Sequence, residues 1–352
     1  MSIDMSTAVT AARQSALRLA FGVSACFAVV QGFGWDVTFV APLLAANMLV
    51  KLQQPPSLRQ GLMVVVLIAL STGVVLALTM AFIDRPSVLI VALSWLTYLS
   101  FFAHRRGVPE LATLLVQISA VALPVIAVIS PDGAGAFAAT LVMAGAVAVL
   151  TVWAAHALFP PPVTAPTNVA PPAGATGDAD LSVAARNALL DTLVLLPVFV
   201  WFILDASQVA VVVLIIIVMV LRQIDSAKGQ RAALGLILGN LIGGIAAAVV
   251  YNLVLLGDTY LFFVAVCLAA SLIFAGRIVT AGDLAPVYAI AFATFILLLG
   301  LGLAPLPGGS GEAFVSRLVN VLLASVYAVG GLSIVEYWRT RPAAPVVARQ
   351  DA

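Results

Sequence analysis

Charge is scarce in this sequence: Asp, Glu, Lys and Arg make up 9% of its 352 residues, where soluble domains carry about 25%. With 63% hydrophobic residues and a mean hydropathy of +1.17, a soluble core of this length would lack a charged skin. That excludes a soluble globular protein and points to a polytopic membrane protein. Cysteine is nearly absent. Cys26 and Cys267 both sit inside apolar runs, which fits buried small hydrophobes and lacks the spacing of a disulfide or metal pair. The two histidines, His104 and His156, fall near predicted span ends, where an imidazole is at ease among lipid headgroups. No serine lies in a nucleophile elbow, no glycine loop ends in Gly-Lys-Ser or Gly-Lys-Thr, and no Cys/His cluster has metal spacing. The expectation is a protein that is not an enzyme, uses no cofactor, binds no nucleic acid and drives no ATP-powered pumping by itself. No cleavable signal is apparent: a polar start is followed by Arg13, Arg18 and an apolar run long enough to stay as an anchor.

What the chain has in abundance is apolar length, broken by one long polar interval. Phe159 to Ser182 reads FPPPVTAPTNVAPPAGATGDADLS. Such a segment buries too little apolar surface to offset its ordering entropy, so it reads as an extended, solvated tether. The blocks on either side follow one plan. Each opens with an arginine (Arg18, Arg186), continues with a hydrophobic pair broken at an aspartate (Asp36, Asp205), and passes a basic loop (Lys51 to Arg59, Arg222 to Arg231). Four more apolar spans follow. The expected fold class is an all-α polytopic membrane protein with about twelve transmembrane helices as two parallel-topology six-helix repeats. Its parts are a first membrane half over 1–159, a Pro/Ala-rich cytoplasmic linker over 160–182, a second half over 183–338 and a cytoplasmic tail over 339–352. At about 20 residues per crossing, the first six spans fall near 15–34, 36–50, 61–83, 87–103, 109–129 and 135–158. The second six fall near 184–203, 206–221, 232–256, 259–276, 280–303 and 313–335.

Charge placement supports the count. In this layout fourteen of the sixteen Lys and Arg residues face one side, and only Arg85 and Arg317 face the other. That is the positive-inside bias, and it puts the N-terminus, the tether and the C-terminus in the cytoplasm. Fusing either close pair of spans would invert everything downstream and scramble the bias. Six spans per half make the repeat parallel, with an axis along the membrane normal. The third span of the second half carries Gly235, Gly239 and Gly243, and that of the first half Ala69, Gly73 and Ala77. Small residues every four positions let a neighbouring helix approach closely, so both stripes are expected to be packing faces.

Ionisable groups at membrane depth are costly and therefore informative. Asp191 follows Arg186 into the seventh span, where it is expected to be a proton-accepting carboxylate or cation site, or an interfacial acid paired with Arg186 or another base. Glu110 and Asp283 open the fifth span of their halves, each after a basic turn; an acid there caps the helix favourably, and the matched pair is also a candidate gate. Each fifth span also holds a proline, Pro124 or Pro286, though at different depths. Asp283 leads the candidates for coupling, with Glu110 and Asp191 behind it, because acid, proline and the nearby Arg277 coincide there. Candidate substrate-binding groups are Arg277, Asn240 beside the glycine face, and Asn47. Intramembrane amides, Gln117 and Asn252 among them, also tie helices together.

The arginine at the head of the first span, the tight pair, the basic loop and Arg231-Ala-Ala-Leu-Gly235-Leu-Ile-Leu-Gly239 together resemble the fusaric acid resistance-like (FUSC) and aromatic acid exporter family. The resemblance covers both halves and implies efflux of aromatic carboxylates or similar anions from the bacterial inner membrane, often with a periplasmic membrane-fusion adaptor. Longer members carry a large cytoplasmic domain after each half, so this chain looks like a short, membrane-only member. The loop Lys51-Leu-Gln-Gln-Pro-Pro-Ser-Leu-Arg59 does not fit the major facilitator pattern. The function expected is an inner-membrane secondary transporter or efflux permease for small organic anions, with proton coupling as an option. An anion channel and a non-transporting scaffold subunit of an efflux assembly are the alternatives. Partners are the anion, the bilayer and an adaptor, and an oligomer is compatible with the sequence.

Overall fold

The computed structural model describes residues 5–35, 37–108, 110–160, 178–205, 214–215, 217–218, 221–222, 230–257, 259–303, 319, 323, 327 and 330–331. The described residues form helices joined by short turns, with no strand among them. In chain order the helices are α1 (Met5–Gly32), α2 (Val40–Lys51), α3 (Leu58–Phe82), α4 (Pro86–Arg105), α5 (Glu110–Ile129), α6 (Pro131–Leu158), α7 (Asp178–Asp205), α8 (Gln230–Leu255), α9 (Tyr260–Thr280) and α10 (Ala285–Leu303). A 3-10 turn, Gly282–Leu284, leads into the last. Further helical residues are 214–215, 217–218, 221–222, 319, 323, 327 and 330–331. They fall in the spans expected near 206–221 and 313–335, most of which lie outside the described residues, as do Asp36 and Asp258.

Local chemistry fixes many of the boundaries. Ser57 caps α3 in a reciprocal box: its hydroxyl accepts from the Gln60 N–H while the Gln60 side chain accepts from the Ser57 N–H. Pro86 and Pro131 open α4 and α6, where the missing N–H costs nothing. Gly34 (φ 65°) ends α1 and Gly107 (φ 81°) ends α4. At both, the following residue's N–H reaches back five positions, Trp35 to Val30 O and Val108 to Ala103 O, closing the helix in a left-handed cap that glycine adopts without strain.

Nine helices among the described residues are long and apolar enough to cross a membrane. Their outward faces are apolar as well: Leu62, Met63, Val66, Leu70 and Val74 of α3 are all exposed. In water such a stripe would be a liability; against lipid it is the expected surface. The chain is a multi-pass membrane protein. α2 departs from the expected spans. At 12 residues it is about 18 Å long, short of a hydrocarbon core about 30 Å thick. It runs inside the bundle instead, buried from Val40 to Met48 except at Asn47. The Thr38 hydroxyl docks its start on Gly300 O, and Arg18 of α1 holds the loop beyond its end through Gln53 O at 3.0 Å. At the other boundary, α7 reaches back to Asp178, into the stretch expected to be tether.

The packing orders the helices. α3 lies on α5 and α6, α8 lies on α10, and α4–α5 and α9–α10 are neighbouring pairs. The first half meets the second where α1 packs on α9, α4 and α5 on α7, and α2 on α10. The glycine face behaves as expected. A Cβ on Gly239 would come within 2.9 Å of Val287 O, and one on Gly243 would meet Ala291 O. Backbone touches backbone there, which only small residues allow. The first-half stripe does not do this: Ala69, Gly73 and Ala77 are exposed, and nothing lies within 4 Å of a Cβ on Gly73. α3 packs instead through Ile68, Ser71, Thr72, Val75 and Thr79, and the close approach is made by Gly145 of α6 against Ile68.

Candidate functional site

Polar groups gather where α4, α5 and α7 converge with Arg222. Arg222 stands near the end of the helical residues that follow α7 and is 7% exposed. One guanidinium nitrogen donates to Thr113 Oγ1 at 3.0 Å and to Gln117 Oε1 at 2.6 Å. Those two side chains are one turn apart on α5 and so share a face. The other terminal nitrogen lies 3.3 Å from His104 Nδ1. Arginine has no acceptor, so Nδ1 accepts and the imidazole proton sits on Nε2. Lys51 ends α2 close by, outside the candidate spans. Burial first, and then the charge of Arg222, holds its ammonium below the usual lysine range.

Beside this nest Arg105, the last residue of α4, pairs with Asp191 of α7, with Nε donating to Oδ2 at 3.2 Å and Nη2 to the same oxygen. The Asp191 side chain is buried and that of Arg105 nearly so, 4% and 12% exposed. A buried pair is costly to assemble and more costly to break, since removing one partner leaves the other charge dehydrated. Asp191 was expected to pair with Arg186 or another base; Arg186 is exposed and Arg105 takes the role. His156 also departs from the headgroup setting expected of it: it is 3% exposed, with Nδ1 donating to Val152 O at 2.9 Å inside α6.

Four other sequence candidates lie elsewhere. Asp283 is exposed on the 3-10 turn and Arg277 is exposed on α9. Asn240 is 4% exposed and accepts from the Thr294 hydroxyl at 2.6 Å, tying α8 to α10. Asn47 donates to Leu43 O within its own helix. Glu110 opens α5, and its side chain is outside the described residues. Of the five whose side chains are described, only Asp191 enters the cluster. Lys51, His104, Arg105, Thr113, Gln117 and Arg222 were not among them. The available signal was positional: Lys51 and Arg222 both close the second span of their halves, and Thr113 and Gln117 share a face of α5.

No group of three or more His, Cys, Asp or Glu residues able to hold a metal occurs among the described residues. Residues 193–330 match the family described as fusaric acid resistance protein-like. The second half is thus similar to that family. Residues 15–155, which the resemblance was expected to cover too, match a different family, described as protein of unknown function (DUF2955). The two matches bracket α1–α6 and the block from α7 onward, with the tether between them. Neither a curated protein nor a solved structure matches the chain. The fusaric acid resistance protein-like match and the apolar helices make this a membrane protein of the transport and efflux kind.

Proposed function

We propose that the chain is a bacterial inner-membrane secondary transporter that exports small organic anions, aromatic carboxylates foremost, through a passage between two six-helix halves. The observation that carries this reading is the nest around Arg222, where acceptors from α4 and α5 hold a buried guanidinium contributed by the second half and Lys51 of α2 adds a second positive charge. A buried cationic nest inside an apolar bundle is stabilised by an anion that comes and goes. The packing supports two equivalent halves. The first helix of each half lies on the fourth of the other, α1 on α9 and α7 on α4. The second helix meets the fifth of the opposite half, α2 on α10 and Arg222 on Thr113 and Gln117 of α5. Such reciprocal contacts are those of a two-fold axis along the membrane normal.

The basic residues put the nest toward the cytoplasm, with both termini and the tether on that side. An anion captured there and released outside gains about 2.3 kcal/mol per 100 mV from an inside-negative potential. Proton coupling passes in this reading from Asp283 to Asp191, the carboxylate that stands against the nest. The chain works without a cofactor and is not an enzyme, and a periplasmic adaptor is the partner expected for it.

Efflux of radiolabelled benzoate from proteoliposomes, with and without a proton gradient, tests the reading. Arg222→Gln is expected to cut wild-type efflux at least tenfold. Equal efflux from both proteins would overturn the role of the nest. Flux that follows voltage alone would make the protein an anion channel, and no flux for any carboxylate would leave a scaffold.

A further inference from the structure

We propose that the Gln117 amide, fixed in place by Arg222, is the donor that recognises the carboxylate of the transported anion. The inference rests on the export reading and names the group in the nest that a carboxylate would contact. Arginine only donates, so the Gln117 oxygen 2.6 Å from Arg222 Nη1 must be an acceptor. Turning the amide over would set two donors against each other. The orientation is thereby decided, and Nε2 is directed away from the guanidinium. Gln117 is 0% exposed, and its Nε2 has no hydrogen-bond partner among the described residues. A wholly buried N–H₂ with nothing to donate to is rare in folded proteins and asks for a cause.

Its surroundings indicate what is missing. Its amide oxygen is bonded to Arg222, whose guanidinium also binds Thr113 and His104, and the carboxylate of Asp191 is held by Arg105. An acceptor carrying negative charge fits a donor on the amide that a buried guanidinium holds. The adjoining residues of α5, Leu114, Ile118 and Val121, are buried and apolar, so the site is dry and its electrostatics are little screened. The two oxygens of a carboxylate let one face the amide while the other faces the cations, with the apolar body of the molecule left in the bundle. A neutral alcohol of the same shape offers neither the charge nor the second oxygen.

The full chain, purified in detergent, is assayed for thermal stabilisation by benzoate, with benzyl alcohol as the uncharged control. Wild type is expected to respond to benzoate alone. Gln117→Glu places an acceptor-only carboxylate beside Arg222. It is expected to keep or raise the melting temperature while weakening the benzoate response at least tenfold. Gln117→Met removes the orphaned donor at similar volume and is expected to weaken the response to the same extent. Undiminished responses in both variants overturn the clamp, whatever their melting temperatures, and leave the export reading to the flux assay. Absence of a benzoate response in a wild type that still exports benzoate overturns the clamp alone, whereas absence of both removes the reading beneath it. Stabilisation by phosphatidylglycerol but not by benzoate would assign the donor to a lipid headgroup and likewise overturn the proposal.

Discussion

Two seams join the first block of helices to the second, and they are held at opposite ends by different chemistry. Where α4 meets α7, the tie is the buried ion pair Arg105–Asp191 at the basic end of the bundle. Where α1 meets α9, it is a neutral hydrogen bond from the Tyr260 hydroxyl to Ala28 O, near the last turn of α1 and the first of α9. The charged position of α1 is turned elsewhere: Arg18 binds Gln53 O and the Ser15 hydroxyl inside its own half. Arg18 thus serves folding within a half, and Asp191 serves contact between halves. Among the described residues, one seam carries an ion pair at its end and the other a hydroxyl–carbonyl bond at the opposite end, so their polar ties differ in what breaking them costs. That contrast is what alternating access by rocking needs.

The comparison breaks most visibly at the ion pair. Asp191→Ala leaves the Arg105 guanidinium buried without its carboxylate, which is expected to cost about 3–5 kcal/mol of stability. Replacing both partners, Asp191→Leu with Arg105→Leu, should recover most of that loss, because paired removal also removes the desolvated charge. Unfolding in detergent followed by tryptophan fluorescence measures both. A single variant as stable as wild type would mean that the seam is not held by this pair.

A smaller effect separates the third helices of the halves. Gly243→Ala drives a methyl into Ala291 O and is expected to destabilise by about 1–3 kcal/mol, the range for overpacking. Gly73→Ala meets open space. In a helix it should be neutral or stabilising by up to about 1 kcal/mol, since alanine loses less backbone entropy on folding. Opposite signs at positions that look alike in sequence are the expected result. Equal losses would put the first stripe at an interface as well.

The same pair of stripes marks how far the sequence could be read. Helix positions were legible, because apolar length and the breaks between spans are properties of one dimension. The turn before α3 was visible as the basic loop Lys51 to Arg59, and α3 starts within it, after Ser57. Which face of α3 turns inward was not visible, because the neighbours decide it, and Ile68 and Thr72 won over Gly73. Nor was the partner of Asp191. Its depth marked it as a buried acid, but Arg105 lies 86 positions away and only the fold brings the two together. Lys51 and Arg222 read as ordinary loop charges, since nothing in a linear pattern states that two loops end at one nest. The brevity of α2 was hidden because its flanks are as apolar as its core.

The weakest tie gives the finest test of the contrast. Tyr260→Phe removes the donor to Ala28 O while keeping the ring against Phe263. A carbonyl has two lone pairs, and Ala28 O lies inside α1, where its backbone partner four residues on is retained. No buried acceptor is orphaned by the change. The loss is therefore expected at or below about 0.5–1.5 kcal/mol, the net worth of one neutral hydrogen bond, and Tyr260 is half exposed, which favours the lower end. In the efflux assay the variant should transport at near the wild-type rate or faster, because it removes only the weaker of the two polar ties. If Tyr260→Phe destabilised the protein as much as Asp191→Ala, the two seams would be equally strong. The asymmetry assigned to them would then have to be sought in the loops rather than in these contacts.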